Sequence, residues 1–433
     1  MNLMIPKIFL SMLLPLTLFA QDSLLTADEA VRIALAHNFD IRIGQADAEV
    51  AHLNNTKANA GMLPTINLVA GDNFTVSAFQ QQLANGNEFN ELGAVFNTVN
   101  AGVQLGWTLF DGRVMYITKD RLDAQEQQGI LNLQAVVQNS TAAVLQTYYG
   151  IAASRQQERS IEEVIALNEE RLRIAEARLA AGFATQPDAL QARIDLNRQR
   201  GDLLAQQNTT RTAKRALNRL LARDPETPFS VVEELDNLYA PDREALLGGL
   251  QTANPELLSL QMSEQIAAYQ VGEAEGRRKL RLTTNSTLNA LRTDNTSGFL
   301  LNNTQSGLTL GLGLVYPLYD GGLLKSRADA ARVGAERAAL QTEARKLELT
   351  AALDNQLSDY QTQQAILAYE EENVGNARES LNISTERFRL GQTNSLEVQQ
   401  AQSTFEQTLG RRNLVRFNLK QAEVQLRLLA GQL

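Results

Sequence analysis

The two halves of this chain repeat each other at a fixed spacing, and this repeat constrains the fold more than any other feature. Trp107-Thr-Leu-Phe-Asp-Gly112 and Tyr316-Pro-Leu-Tyr-Asp-Gly321 lie 209 positions apart. The same offset carries Arg178-Leu-Ala-Ala-Gly182 onto Arg387-Phe-Arg-Leu-Gly391. A fixed offset between several motifs is typical of a duplicated supersecondary unit. We therefore predict a first repeat at 21–221, a connector at 222–242 and a second repeat at 243–433.

Each repeat is predicted to contain a helix, two strands, a long helix, a turn and a final helix. The long segments 112–181 and 321–390 contain no proline. About 70 residues at a rise of about 1.5 Å form a rod of about 105 Å, which must pack laterally against other rods. In chain order, the predicted elements are a helix at about 26–62, strands at about 64–76 and 99–110, helices at 112–181 and 186–221, a helix at about 242–279, strands at about 280–291 and 308–319, and helices at 321–390 and 395–430.

A heptad seam approaches the end of each long helix. Its residues alternate spacings of three and four, which is the pattern of coiled-coil packing. The predicted seam residues of the first repeat are Ile165, Asn168, Leu172, Ala175 and Leu179, and their copies are Val374, Ala377, Leu381, Ser384 and Phe388.

The predicted strands alternate apolar and polar residues. One face of such a strand is buried in a soluble β-sandwich, or it faces lipid in a transmembrane barrel. The non-apolar face here is mostly Gly, Thr, Asn and Gln rather than charged residues, which favours the barrel. Aromatic residues gather at one end of two strands, where an interfacial girdle belongs: Trp107, Phe110, Tyr316 and Tyr319. The polar segments 77–98 and 293–306 are predicted to be long outward-facing loops.

Four strands cannot close a barrel. The unpaired N–H and C=O groups of its edge strands would face hydrocarbon, at a cost of several kcal/mol each. The sheet must therefore be completed by further copies of the chain. Because about eight strands leave little lumen, we expect three copies or more.

The first 20 residues are predicted to be a secretory signal peptide. Lys7 precedes the apolar run from Ile8 to Phe19, and Ala20 suits the cleavage site. The alternative is a short membrane anchor, but the run falls short of the roughly 20 residues that a spanning helix requires. We therefore expect the mature chain to be exported.

Composition argues against several other classes of function. The chain has 40 basic and 49 acidic residues, so it lacks the basic excess that suits nucleic acid. It contains no cysteine, which excludes disulfides and thiolate chemistry. Its two histidines, His37 and His52, are not on one helix face and are predicted to be solvated. We expect no catalytic residues, cofactor or metal.

The motifs resemble those of the TolC-type outer-membrane efflux proteins, also called outer membrane factors. Two strand-to-helix junctions carry the resemblance, Leu109-Phe-Asp-Gly112 and Pro317-Leu-Tyr-Asp-Gly-Gly322. Two helical tips add to it, the segments 178–188 and 387–397. The resemblance extends over essentially the whole predicted mature chain.

The resemblance implies a mixed membrane protein. A transmembrane β-barrel with four strands per chain would continue into the periplasm as a long α-helical coiled-coil barrel. The family forms homotrimers with an equatorial belt, here expected at 222–242. Its members act as passive exit ducts for drugs, metal ions or proteins. They work with a periplasmic adaptor and an inner-membrane pump whose class we leave open.

The junction and tip residues have local structural reasons and an implied function. Asp111 and Asp320 can cap the helices that follow, while Gly112, Gly321 and Pro317 shape the bend. At the tips, glycines suit the left-handed end of a helix, and the following residues have capping-box spacing. The resemblance implies that the tips dock the adaptor, although any turn between helices requires such residues. The tip candidates are Arg178, Gly182, Thr185, Asp188, Arg387, Gly391, Asn394 and Glu397.

Four acidic residues are candidates for an electrostatic ring at the periplasmic aperture. Glu372 and Glu379 are seven residues apart on one helix face, and their copies are Glu163 and Glu170. Carboxylates that converge on a channel axis attract cations. The alternative is a solvated stripe or ion pairs with neighbouring arginines.

A periplasmic or surface coiled-coil scaffold is the competing hypothesis for function. It explains the helices and the signal peptide but not two symmetric pairs of bilayer-length strands. Carbonate or high-salt washing would release a scaffold, whereas a barrel would stay in the membrane until detergent is added.

Overall fold

The structure is a computed structural model that describes residues 23–235, 239–297 and 300–433. The predicted signal peptide, 1–20, lies outside these residues. In the first half the elements are β1 (Ser23–Leu25), α1 (Ala27–His37), α2 (Phe39–Asn54), β2 (Thr65–Gln82), β3 (Glu88–Phe110), α3 (Val114–Ala180) and α4 (Gln186–Leu220). They are followed by β4 (Phe229–Val231), α5 (Arg243–Ala253), α6 (Pro255–Gly276), β5 (Arg281–Asn295), β6 (Asn302–Val315), α7 (Leu323–Arg389) and α8 (Ser395–Leu429).

The helix lengths match between the two halves. The long helices α3 and α7 have 67 residues each, and α4 and α8 have 35 each. A 67-residue helix is about 100 Å long at about 1.5 Å per residue.

The helix predicted at about 26–62 is wrong in two respects. It is broken at Asn38, whose side-chain oxygen accepts hydrogen bonds from the amides of Asp40 and Ile41. It also ends at Asn54, and turns occupy 55–62. The helix predicted at about 242–279 is likewise divided, because Asn254 caps the amide of Leu257. An asparagine cap satisfies the exposed amides of a new helix and so permits each break.

The four long strands form one antiparallel sheet in the order β2-β3-β5-β6. Leu68 pairs with Val103, Val103 with Leu288, and Leu288 with Leu308, so one apolar row crosses all four strands. Within the described residues β2 pairs only with β3 and β6 only with β5, which leaves two open edges.

Five predicted strand boundaries and both predicted long loops need correction. The strands β2 and β3 extend through most of 77–98, and only a short turn at 83–87 joins them. The strand β5 likewise continues to Asn295 and β6 begins at Asn302, so both extend into the predicted loop at 293–306. The strand predicted at 308–319 ends at Val315, since Pro317 has no amide hydrogen for a further ladder bond.

One face of the sheet exposes a band of large apolar side chains. On β6 the alternate leucines from 308 to 314 are 63%, 74%, 77% and 65% exposed. On β2, Ile66 and Leu68 are also exposed. An uncovered apolar face of this size marks a surface that contacts lipid or protein.

The helices pack around three buried clusters. One lies among α5, α6, α7 and α8, a second among β1, α1, α3, α4 and β4, and a third among α3, α7 and α8 near the tips. The short strands β1 and β4 pair in parallel and tie the 222–242 connector to the start of the described chain.

The predicted seam holds in the second half and shifts in the first. All five predicted residues of α7 are buried, from Val374 to Phe388. On α3, Ile165, Leu172 and Leu179 are only half-buried. The buried residues there include Ile161, Val164, Asn168, Arg171, Ile174 and Ala175. A charged residue occupies the α3 core, which the heptad pattern did not predict.

Candidate functional site

The first helical tip joins α3 to α4. Gly182 adopts a left-handed conformation with φ 79°, as predicted for the residue that ends the helix. The amide of Thr185 donates to an Asp188 carboxylate oxygen at 3.1 Å, and the Thr185 hydroxyl donates to the same oxygen at 2.7 Å. These hydrogen bonds from Thr185 lower the pKa of Asp188, so the cap is charged at neutral pH.

The second tip joins α7 to α8 with related chemistry. Gly391 has φ 77°, and the amide of Glu397 donates to the Asn394 side-chain oxygen at 3.0 Å. Glu397 does not return a bond to the Asn394 amide. Its carboxylate accepts instead from Arg387 at 2.8 Å and from the Thr393 hydroxyl. The capping-box bond from the N-cap amide to the acidic side chain is therefore present only at the first tip.

The two tips are tied together by Arg178. Its Nη1 donates to the Phe388 carbonyl oxygen at 2.7 Å, and its guanidinium lies 4.7 Å from the centre of the Phe388 ring. These contacts explain the presence of Arg178 without a partner protein. The ion pair with Glu397 does the same for Arg387. Arg178 therefore links the two tips, whereas Arg387 links residues within the second tip.

The tips expose apolar side chains that the sequence reasoning missed. Phe183, Leu390 and Leu396 are all more than half exposed. Phe183 follows Gly182 directly and Leu390 precedes Gly391, so large apolar residues beside the tip glycines were the available signal. Exposed apolar groups rimmed by polar residues are typical of an interaction site.

The four acidic candidates separate into two groups. Glu163 pairs with Arg378 at 2.8 Å, and Glu170 pairs with Arg173 at 2.6 Å. Glu372 and Glu379 are exposed, and no ion pair involves them within the described parts of the chain. The structure therefore does not bring the four acids together as one set.

The first strand-to-helix junction is closely packed. Asp111 accepts a hydrogen bond from the Met115 amide at 2.9 Å, as expected for a cap. Gly112 has φ 73°, and a Cβ there would lie 2.4 Å from the Gly276 carbonyl oxygen. This position therefore requires glycine for its conformation and for its close contact with the end of α6.

The second junction has the same cap but an open surrounding. Asp320 accepts from the amides of Gly322 and Leu324 at 3.0 and 2.8 Å. Gly321 has φ 71°, yet no described heavy atom lies within 4 Å of a Cβ built there. Pro317 lies between the end of β6 and this cap.

The aromatic candidates lie at the helix end of the sheet. Trp107 Nε1 donates to the Met62 carbonyl oxygen at 2.9 Å, which anchors the turns after α2 to β3. Phe110 ends β3, while Tyr316 and Tyr319 follow β6 rather than continue it. All four rings are exposed, and Tyr319 is 91% exposed.

The described residues contain no group of three or more His, Asp or Glu side chains suited to hold a metal ion. His52 Nδ1 lies 2.8 Å from Glu126, whose hydrogen bond and negative charge raise the His52 pKa. None of the described helices is both apolar and long enough to span a bilayer.

The sequence model of a family described as outer membrane efflux protein matches residues 30–223 and 246–432. The chain belongs to this TolC-type family. Two curated members are similar to it. The outer membrane efflux protein BepC of Brucella suis is 24% identical over 71% of this chain and 66% of its own length, just under two thirds. Protein CyaE of Bordetella pertussis is 26% identical over 78% of this chain and 69% of its own length.

Solved structures of efflux-family channels share the fold. The outer membrane protein VceC of Vibrio cholerae superposes with a TM-score of 0.79 and 17% identity, over 94% of this chain and 96% of its own. The CmeC outer membrane channel of Campylobacter jejuni gives a TM-score of 0.80 and 15% identity, over 94% and 85%.

Proposed function

We propose that this efflux-family chain is one subunit of an oligomeric channel. The sheet crosses the outer membrane as part of a barrel, and the helices continue into the periplasm as a tunnel. The observation that carries the proposal is the four-stranded sheet, with its uncovered apolar face and two open edges. Open edges facing hydrocarbon are too costly to persist, so other copies must cover them.

The helices support the same assembly. Inside the chain, α3 of the first half packs against α6 of the second half. The equivalent pair, α7 of one copy and α2 of the next, can meet only between copies. Both helices expose the apolar residues that such a contact would bury. These residues are Ile43, Val50 and Leu53 on α2, and Val333, Leu340 and Leu347 on α7.

Two matching asparagines fix the alignment of these helices. The Asn38 side-chain amide donates to the Leu220 carbonyl oxygen at 2.8 Å, and the Asn254 amide donates to Leu429 at 3.1 Å. Since Asn38 and Asn254 correspond, α2 is the counterpart of α6 at an offset of 216. This correspondence supports two copies of one unit, 21–221 and 243–433, joined by the connector.

The alignment predicts one contact between copies in detail. Within the chain, the Gln128 side-chain amide on α3 donates to the Ser263 hydroxyl on α6 at 2.6 Å. The counterparts are Arg337 on α7 and Asp47 on α2 of the next copy. Both are exposed and opposite in charge, so they are suited to form an ion pair.

We infer three copies and twelve strands. About eight strands leave little room inside a barrel, whereas twelve leave a lumen. The channel is the passive exit duct of a tripartite efflux or type I secretion system. The tips, with exposed Phe183, Leu390 and Leu396, dock a periplasmic adaptor that connects the duct to an inner-membrane pump. Glu372 and Glu379 are the acids that remain available for an aperture ring.

Cysteine cross-linking tests the assembly, because the chain has no cysteine of its own. The variant D47C/R337C should form a disulfide between copies and migrate as dimer and trimer on a non-reducing denaturing gel. The matched control is Q128C/S263C, in which the equivalent disulfide forms within one chain and leaves the monomer band. Monomer bands for both variants under oxidising conditions would refute the proposal.

Fractionation separates the channel from a coiled-coil scaffold. A barrel remains in the membrane through carbonate and high-salt washing and is released by detergent. Release by carbonate alone would favour the scaffold. The same fractions, probed after D47C/R337C oxidation, show whether the cross-linked species is the membrane-embedded one.

A further inference from the structure

A run of cations separates α6 from β5. Four of the five residues from 277 to 281 are Arg277, Arg278, Lys279 and Arg281. The corresponding stretch of the first half, Gly61-Met-Leu-Pro-Thr65, contains no charge. Because the first half enters its strand without cations, the turn itself does not require them.

Three of these cations line one cavity. Arg277, Lys279 and Arg281 surround a space of about 340 Å³ together with Asp111. A neighbouring cavity of about 560 Å³ shares Arg281 and extends along Asn285. Arg278 lines neither cavity.

The cavities lie on the polar face of the sheet. Arg281 pairs with Val315 and Asn285 with Gly311, whereas the exposed leucines of β6 occupy the alternate positions. Side chains of alternate residues point to opposite faces of a strand. Arg281 and Asn285 therefore face away from the apolar band, toward the lumen of the proposed barrel.

The cations have no partner of their own. Within the described residues, no hydrogen bond or ion pair involves the side chains of Arg277, Lys279 or Arg281, and all three are exposed. By contrast, nearby Arg332 pairs with Glu275 at 2.6 Å. Only the Asp111 carboxylate lines the same cavity, so each chain keeps an excess of positive charge there.

Close backbone packing holds the cations in place. A Cβ on Gly112 would lie 2.7 Å from the Lys279 Cβ, and a Cβ on Gly276 would lie 2.6 Å from the Val114 side chain. The segment is therefore pressed against the first junction and cannot swing away from the cavity without breaking that contact.

We propose that residues 277–281 form an anion-attracting collar inside the channel, at the level where sheet meets helices. The collar concentrates solutes that carry carboxylate, phosphate or sulfonate groups as they pass from the tunnel into the barrel. This inference rests on the proposed channel function, since it needs the polar face to enclose water. A charged wall of one sign raises the local concentration of the opposite ion.

Charged thiol reagents at N285C test the collar in the reconstituted full-length protein. The probes are a sulfonate-bearing and a trimethylammonium-bearing methanethiosulfonate, each normalised to its rate with free cysteine. We expect the anionic reagent to react about tenfold faster than the cationic one. The preference for the anionic reagent should vanish in the triple variant R277Q/K279Q/R281Q, measured on protein that still forms oligomers. The single variant K279Q should reduce the preference more than the matched control R278Q does.

The outcomes separate the two proposals. Equal normalised rates for both reagents, or equal effects of K279Q and R278Q, would overturn the collar while leaving the channel intact. Failure of both reagents to modify N285C would show that the polar face encloses no water and would overturn the channel as well. The source of the anion is tested by comparing phosphatidylcholine with phosphatidylglycerol nanodiscs. A preference lost only in phosphatidylglycerol assigns the site to lipid headgroups and overturns its role toward solutes.

Discussion

A buried ion pair couples three helices near the tips, and removing its acid should loosen them. Arg171 of α3 and Asp195 of α4 have side chains only 3% and 5% exposed, and they are hydrogen-bonded to each other. Arg171 also donates to Gln402 of α8 at 2.7 Å, and Gln399 donates to Asp195 at 3.1 Å. The perturbation is D195L, which leaves the Arg171 charge buried with one neutral acceptor.

The expected cost follows from this burial. Removing one partner of a buried pair costs about 3–5 kcal/mol, because the remaining charge stays desolvated. Replacing both groups, as in R171M/D195L, is often nearly neutral because no unpaired charge is left. A loss of about 3 kcal/mol corresponds to a roughly 100-fold shift in a local opening equilibrium.

Amide hydrogen exchange of α4 measures this opening directly. D195L should lower protection around residue 195 by about 100-fold, and R171M/D195L should restore most of it. The matched control is E176L, which breaks the exposed pair between Glu176 and Arg193 of the same two helices. An exposed pair contributes about 0–1 kcal/mol, so E176L should change little. Equal losses in D195L and E176L, or no recovery in the double variant, would refute the reasoning.

Three further predictions concern other parts of the chain. G112A should sharply reduce folded yield because its Cβ would lie 2.4 Å from the Gly276 carbonyl oxygen. Within the single subunit, G321A should add only the strain of φ 71°, about 1–2 kcal/mol, so circular dichroism should distinguish the two variants. NMR titration should give His52 a pKa above its usual 6.5, and E126Q should return that pKa toward 6.5. The contact should stabilise the fold most between about pH 4.5 and 6.5. Its contribution is lost as the pH rises through the raised His52 pKa or falls through the lowered Glu126 pKa. F183E should weaken capture of the periplasmic adaptor in a pull-down, and unchanged capture would remove the tip from the docking surface.

The long helices and tips were predictable because their signals are local. Proline-free runs, tip glycines and cap spacing each determine structure within a few residues. The helix breaks were missed although Asn38 and Asn254-Pro255 carry ordinary cap signals, because the surrounding composition favoured one continuous helix. The strand extensions through 77–98 were missed for a different reason. Outside the apolar band a strand does not require alternating apolar side chains, so the sequence loses its period of two. The hydrogen-bonded pairing of β2 with β3 nevertheless continues there.

The seam error shows what a heptad pattern cannot supply. The pattern placed apolar residues at 165, 172 and 179 in the α3 core, but the helix turns so that Arg171 is buried. A buried arginine is stable only because Asp195 and Gln402 arrive from α4 and α8. These partners are 24 and 231 positions away in sequence, so no local pattern reveals them.

The two strand-to-helix junctions differ in their surroundings. Gly112 is enclosed by the end of α6, whereas its counterpart Gly321 meets no described atom within 4 Å. The contact between the first strand-to-helix junction and the end of α6 is therefore formed within one chain. The described residues provide no equivalent contact for the second junction. If the next copy supplies that contact, the segment around Ala60 should enclose Gly321, since Ala60 corresponds to Gly276 at the offset of 216. Each chain then forms one such contact internally and takes part in two contacts with neighbouring copies. A closed ring of copies forms all of these contacts. This geometry predicts that G321A, which is mild for the single subunit, lowers the yield of oligomer. An oligomer yield equal to that of the wild type would mean that Gly321 faces solvent and that the two strand-to-helix junctions are not equivalent.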